Sequence, residues 1–149
     1  MTDIATVWNV QYAHGDWAIN GADLLSGDDL ATAVYISLFT DRLAEASDVL
    51  PDNIGDRRGW WGDAYDEYPI GSRLWLLSRS VLSQVIANKA IDYATEALQW
   101  LIGDQVAASV AVTAAITLPK MLALTVVISM ANGTTRTLKY NWAWNQIAA

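Results

Sequence analysis

The chain contains no cysteine. Disulfides, thiolate nucleophiles and sulfur-ligated metal centres are therefore excluded, and either redox compartment is compatible with it. Histidine occurs once, at His14 among turn residues, and no Gly-x-Ser-x-Gly elbow exists, so a Ser-His-Asp device has little to build on. Nucleotide loops of the Gly-x4-Gly-Lys-Ser/Thr and Gly-x-Gly-x-x-Gly kinds are also missing, and phosphate cradling has no support. Positive charge is scarce: 9 Lys plus Arg stand against 16 Asp plus Glu, for a net charge of -7. Nucleic acid and anionic membrane surfaces both require a basic face, so neither is an expected partner. The first residues, Met1-Thr2-Asp3, place an acid where a secretory signal carries positive charge, and no apolar segment follows, so a cytoplasm is the expected place of synthesis and use. The apolar-rich tail from Val106 to Ala131 is interrupted by Pro119-Lys120, and each piece falls short of the roughly 20 residues that span a bilayer.

What is present points to a folded chain. Hydrophobic residues make up 53% and charged residues 17%, which rules against disorder over most of the length. At 149 residues the expectation is one domain over 1–149 with a core that needs no staples. There are 8 tryptophans, a residue enriched where protein surfaces meet other proteins or sugars. Core filling is the alternative for any one of them.

The unusual stretch is Gly55-Asp56-Arg57-Arg58-Gly59-Trp60-Trp61-Gly62-Asp63. Glycine allows positive φ, tryptophan buries its body while bonding its indole N–H, and arginine grips carboxylates or stacks on rings. No regular helix or strand needs this density of special side chains, so the stretch reads as an ordered loop. It sits within Thr40 to Pro69, where hydrophobic periodicity disappears, and so long an irregular segment is usually functional or tied down. At least one of Arg57 and Arg58 is expected to be buried or stacked, with Asp56 and Asp63 as charge partners. For Trp60 and Trp61 two readings stand: one ring plugging the core while the other covers the loop, or a contact with a partner. The acids Asp48, Asp52, Asp56, Asp63, Asp66 and Glu67 do not match the alternating ligand pattern of a calcium loop, and neither metal nor cofactor is expected. The same acids beside the indoles allow a second function class, a sugar cleft with two carboxylates for acid and base work.

Elsewhere the pattern is conventional. Thr6 to Val10 and Asp16 to Ile19 read as short strands around a turn at Tyr12 to Asp16. A helix from about Gly27 to Leu38 follows, with Ser26 as N-cap. Ile70 to Leu77 reads as a short helical turn. Val81, Leu82, Val85, Ile86, Ala90, Ala94, Ala97, Leu98 and Leu101 then recur at three-and-four spacing, predicting one long helix ended by Gly103. Ala108 to Thr113, Leu122 to Ser129 and Thr134 to Tyr140 read as strands, the last two joined at Asn132-Gly133. The expected fold is α+β: N-terminal short strands and helix, a long loop, and a long central helix packed on a C-terminal antiparallel sheet of about three strands. Trp142 and Trp144 follow at period two, as a sheet-to-helix plug or a second contact patch.

Leu38-Phe39-Thr40-Asp41-Arg42, then Asp56-Arg57-Arg58-Gly59-Trp60-Trp61-Gly62-Asp63 and Gly71-Ser72-Arg73-Leu74-Trp75-Leu76-Leu77, resemble the tail baseplate wedge family of Mu-like phages and prophages. Tyr93-Ala94-Thr95-Glu96-Ala97-Leu98 fits the same pattern, and the family is similar, more distantly, to the small lysozyme-like wedge protein of T-even baseplates. The resemblance implies a structural part of a contractile tail's baseplate, assembled in the host cytoplasm. It would touch other wedge, tube and sheath proteins, with a homo-oligomer also open. Together with the residue reading it implies an interaction module rather than an enzyme.

Overall fold

A computed structural model of the protein describes residues 4–9, 14–24, 28–52, 54–78, 80–117 and 121–143. The α+β arrangement expected from the sequence is the one observed. Two small antiparallel pairs come first: β1 (Thr6–Asn9) with β2 (His14–Trp17), and β3 (Ile19–Asn20) with β4 (Asp23–Leu24). Asn9 pairs with His14 and Thr6 with Trp17, so His14 to Asp16, expected in the turn, belong to the second strand. The reason is Tyr35, whose hydroxyl accepts the Gly15 N–H at 3.2 Å while its ring lies where a Gly15 Cβ would stand. Val10 lies outside the described residues.

Helix α1 (Asp29–Phe39) is capped by Asp28, whose side chain accepts the Ala31 N–H. The expected N-cap, Ser26, lies outside the described residues. Asp28 also pairs with Arg136 at 2.9 Å, so the cap fastens α1 to the distant sheet. Val34 and Leu38 are buried, and Phe39 stacks on Trp8 at 4.8 Å, with Tyr140 meeting Trp8 edge-on at 5.6 Å. This aromatic group joins the first hairpin, α1 and the sheet.

The predicted long helix is two helices. Residues Gln84–Ala97 form α2 and Gln99–Gly103 form α3, with Leu98 at φ -101 and ψ 4 between them. Ser83 caps the start by accepting the Ile86 N–H. Val81 and Val85, expected on the buried stripe, are 85% and 65% exposed. Val81 precedes the helix, and Val85 lies about two and a half turns from Ala94, hence on the opposite face. The buried face is Ala87, Ala90, Ala94 and Ala97, whose short side chains let α2 sit close on the sheet.

Strands β5 (Ser109–Thr117), β6 (Met121–Ser129) and β7 (Thr135–Ala143) form one antiparallel sheet in that order. Alternation along β6 is strict: Leu122, Leu124, Val126 and Ile128 are fully buried and form the core with Leu98, Leu101 and Val34. The turn at Asn132-Gly133 occurs as expected, with Gly133 at φ 88 and the Asn132 side chain accepting the Thr134 N–H at 3.0 Å. Ile70 to Leu77 resolves to a 3-10 helix, Arg73–Leu77, begun by Ser72.

Candidate functional site

The irregular middle of the chain is fixed by its own backbone. Ser72 donates its N–H to the Thr40 carbonyl at 2.9 Å, and Arg42 donates to the Ser72 carbonyl at 3.0 Å, a short parallel bridge between the ends of the segment. Gly71 makes this possible. It sits at φ 94, and a Cβ there would stand 2.3 Å from the Thr40 carbonyl oxygen. The Ser72 hydroxyl, buried, donates to the Leu38 carbonyl at 2.5 Å, which satisfies the last turn of α1.

Between those ends the Gly-Arg-Trp stretch folds back on residues 41–45. Gly55, Arg58 and Gly59 take φ values of 80, 56 and 100. The Asp56 carboxylate accepts the Arg58 N–H at 2.8 Å, the Asx arrangement that steadies such a bend and offsets part of the cost of a left-handed arginine. Ala44 donates to the Arg57 carbonyl at 2.9 Å, and the Arg57 guanidinium donates to the Glu45 carbonyl. Arg58 pairs with Asp41 at 2.5 Å and lies over the Trp75 ring at 4.5 Å, a cation held on an indole face. Trp75 is buried and donates its indole N–H to the Arg42 carbonyl at 2.8 Å.

The charge partner of Arg58 is thus Asp41, and not Asp56 or Asp63 as the sequence suggested. Both of those carboxylates accept backbone N–H groups, Asp63 that of Ile70 at 2.9 Å. Short acids beside glycine bond more easily to nearby amides than to a guanidinium that is already turned toward another ring.

The paired indoles face outward. Trp60 is 40% exposed and Trp61 79%, with ring centroids 5.3 Å apart. Neither plugs the core, contrary to one of the two readings. Trp60 lies across Gly62, where a Cβ would stand 2.2 Å from its ring, so the glycine clears space for the indole. Trp61 begins a 3-10 turn, Trp61–Tyr65, that also presents Tyr65 to solvent. Three aromatic rings are therefore held on one short turn whose backbone is bonded on both sides. Trp142 is in β7 opposite Leu122, and Trp144 lies outside the described residues.

The structure adds one centre that composition did not reveal. Arg73 donates to Glu96 through Nε at 2.9 Å and Nη2 at 3.2 Å, to both Asp48 oxygens at 3.0 Å, and stacks over Tyr93 at 4.8 Å. Burial opposes ionisation of Asp48, but hydrogen bonds from Arg73 and from the Glu45 N–H win and hold its carboxyl below the ordinary value. Tyr93 is pushed up by burial and by the neighbouring Asp48 charge. The available signal was Tyr93 and Glu96, three residues apart on one face of α2 with a ring and an acid to offer. Among the described residues, no group of three or more His, Cys, Asp or Glu is placed to hold a metal ion. Among the same residues, no helix is long and apolar enough to cross a membrane.

The family model for phage protein GP46 matches residues 30–135, from the first turn of α1 to the start of β7. The chain belongs to the phage GP46 family. The matched span contains the whole aromatic loop and the Arg73 centre. Baseplate protein gp46 of Escherichia phage Mu is 55% identical over 101 residues, 68% of each chain. The Mu-like prophage FluMu protein gp46 of Haemophilus influenzae is 39% identical over 146 residues, 96% of this chain and 99% of that protein. This GP46-family chain thus carries an outward-facing aromatic turn on an α+β scaffold.

Proposed function

We propose that this GP46-family protein is a structural component of a contractile phage or prophage tail baseplate, acting as a protein–protein interaction module in wedge assembly. Its relatives' names supply the particle, and the outward indoles supply the surface. Trp61, 79% exposed on a turn bonded at both ends, is the observation that carries the reading. A bulky apolar ring exposed to water gains free energy when a partner covers it, and a turn whose backbone is already bonded lowers the entropy lost on docking. Asp56, Arg57, Arg58, Gly59, Gly62 and Asp63 hold the turn, and Trp60 and Trp61 make the contact. Trp142 and Trp144 are a candidate second contact. Residues 1–149 act as one domain, located in the virion tail after assembly in the host cytoplasm, with wedge, tube or sheath proteins as neighbours. A further copy of the chain is a second candidate neighbour.

Of the acids that the sugar-cleft alternative would use, Asp56 and Asp63 are already engaged by backbone N–H groups. The deciding experiment is co-expression with the tail genes. The unmodified chain is expected to co-purify with baseplate proteins, and a Trp60→Ala, Trp61→Ala double variant to lose at least about tenfold of that recovery while keeping its circular dichroism. Full recovery of the double variant would remove the aromatic turn from the interface.

A further inference from the structure

A groove of about 460 Å³ runs between α1, the residues just after the aromatic turn, and the α2–α3 junction. Its lining includes Ala33, Ala97 and Trp100. The Trp100 indole N–H donates to the Ser37 hydroxyl at 2.9 Å, and that hydroxyl donates to the Ala33 carbonyl at 2.8 Å. Polar groups on this side are satisfied within the chain, so the wall presents carbon and asks for an apolar occupant.

The lining also includes Asp66, Glu67 and Asp104, all exposed, and contains no Lys, Arg or His. Among the described residues none of these three carboxylates joins an ion pair, whereas Asp28, Asp41, Asp48 and Glu96 each have an arginine. They are not placed to hold a metal ion together. The complement is therefore a cation on a long flexible stem rather than a compact ion. An anionic ligand would meet three like charges.

We infer that this groove receives a segment of a neighbouring protein that carries an apolar side chain next to Lys or Arg, the apolar body against Trp100 and the cation among Asp66, Glu67 and Asp104. The inference rests on the docking reading and deepens it, since the groove's lining includes Asp66, the residue directly after the aromatic turn.

The test uses the full chain with its tryptophan indole N–H groups observed by NMR, Trp100 being assigned by Trp100→Phe. The probes are two amidated hexapeptides, one alternating Leu and Lys, the other Leu and Glu. The Leu/Lys peptide is expected to move the Trp100 indole resonance saturably with a dissociation constant below about 1 mM. The Leu/Glu peptide is expected to leave it in place. Neutralising the rim with Asp66→Asn, Glu67→Gln and Asp104→Asn is expected to weaken binding at least about tenfold, and Ala33→Phe, which fills the groove, to abolish it. Equal response to both peptides, or unchanged affinity after neutralisation, would overturn the inference. So would a Trp100 resonance that moves on dilution alone, which would make a second copy the occupant. If the groove fails while the Trp60→Ala, Trp61→Ala variant still drops out of baseplates, the docking reading survives alone.

Discussion

Arg73 and Glu96 meet side on, Nε to Oε2 at 2.9 Å and Nη2 to Oε1 at 3.2 Å, and this paired contact fastens the irregular middle of the chain to helix α2. The same guanidinium holds Asp48, so one residue spans the loop, the 3-10 turn and the helix. Only a planar fork can serve two carboxylates and a ring at once. Arg73→Ala is expected to lower unfolding stability by roughly 2–3 kcal/mol, because it leaves Asp48 and Glu96 without the cation that both are bonded to. Arg73→Lys should recover part of this. Urea denaturation midpoints at unchanged slope are the check.

Acid should weaken the same fastening. Asp48 and Asp28 both have folded-state values held below the ordinary 3.8: burial opposes this, and bonds from Arg73 and Arg136 overcome it. A lowered carboxylate binds its proton less well in the folded state, so its contribution is present above the unfolded value and lost as pH falls through the folded one. Stability is expected to fall as pH drops from about 5 to 2, and Asp48→Asn to flatten that dependence. A slope identical in the variant would place the effect elsewhere.

Two glycines should respond very differently to alanine. At Gly71 the backbone has φ 94 and the added Cβ would stand 2.3 Å from a carbonyl oxygen, with no flexible neighbour to yield. Gly71→Ala is expected to cost about 3 kcal/mol or more. At Gly62 the obstruction is the Trp60 ring at 2.2 Å, a side chain that can swing out. Gly62→Ala is expected to cost less than about 1 kcal/mol while shifting tryptophan emission. Thermal melts and fluorescence spectra separate the two.

The tryptophans divide in the same way. Trp75 is 8% exposed, carries Arg58 on its face and donates to the Arg42 carbonyl, so Trp75→Ala is expected to lose about 3 kcal/mol or more. Trp61→Ala, at a site 79% exposed, is expected to stay within about 0.5 kcal/mol of the parent. A docking role for Trp61 therefore predicts lost co-purification without lost stability, a combination that a purely structural ring would not give.

Much of this protein was written in local pattern. Alternation along Leu122 to Ile128 and the turn at Asn132-Gly133 determined the sheet, because period two and a positive φ are properties of a few neighbouring residues. The three-and-four spacing determined that α2 exists, and the glycine, arginine and tryptophan string determined that an ordered loop lies between α1 and α2. Tertiary structure decided the rest. Which face of α2 is buried turned on the alanines that fit against β5, and Val85 lost to them despite its greater hydrophobicity. Which arginine is clamped turned on Asp48 and Glu96, 25 and 23 residues from Arg73 in the chain. Which tryptophan is inside turned on the Arg42 carbonyl and the Arg58 guanidinium that Trp75 meets. Such choices depend on groups brought together only by the completed fold, where the energy of a charge or a ring is set by neighbours distant along the chain.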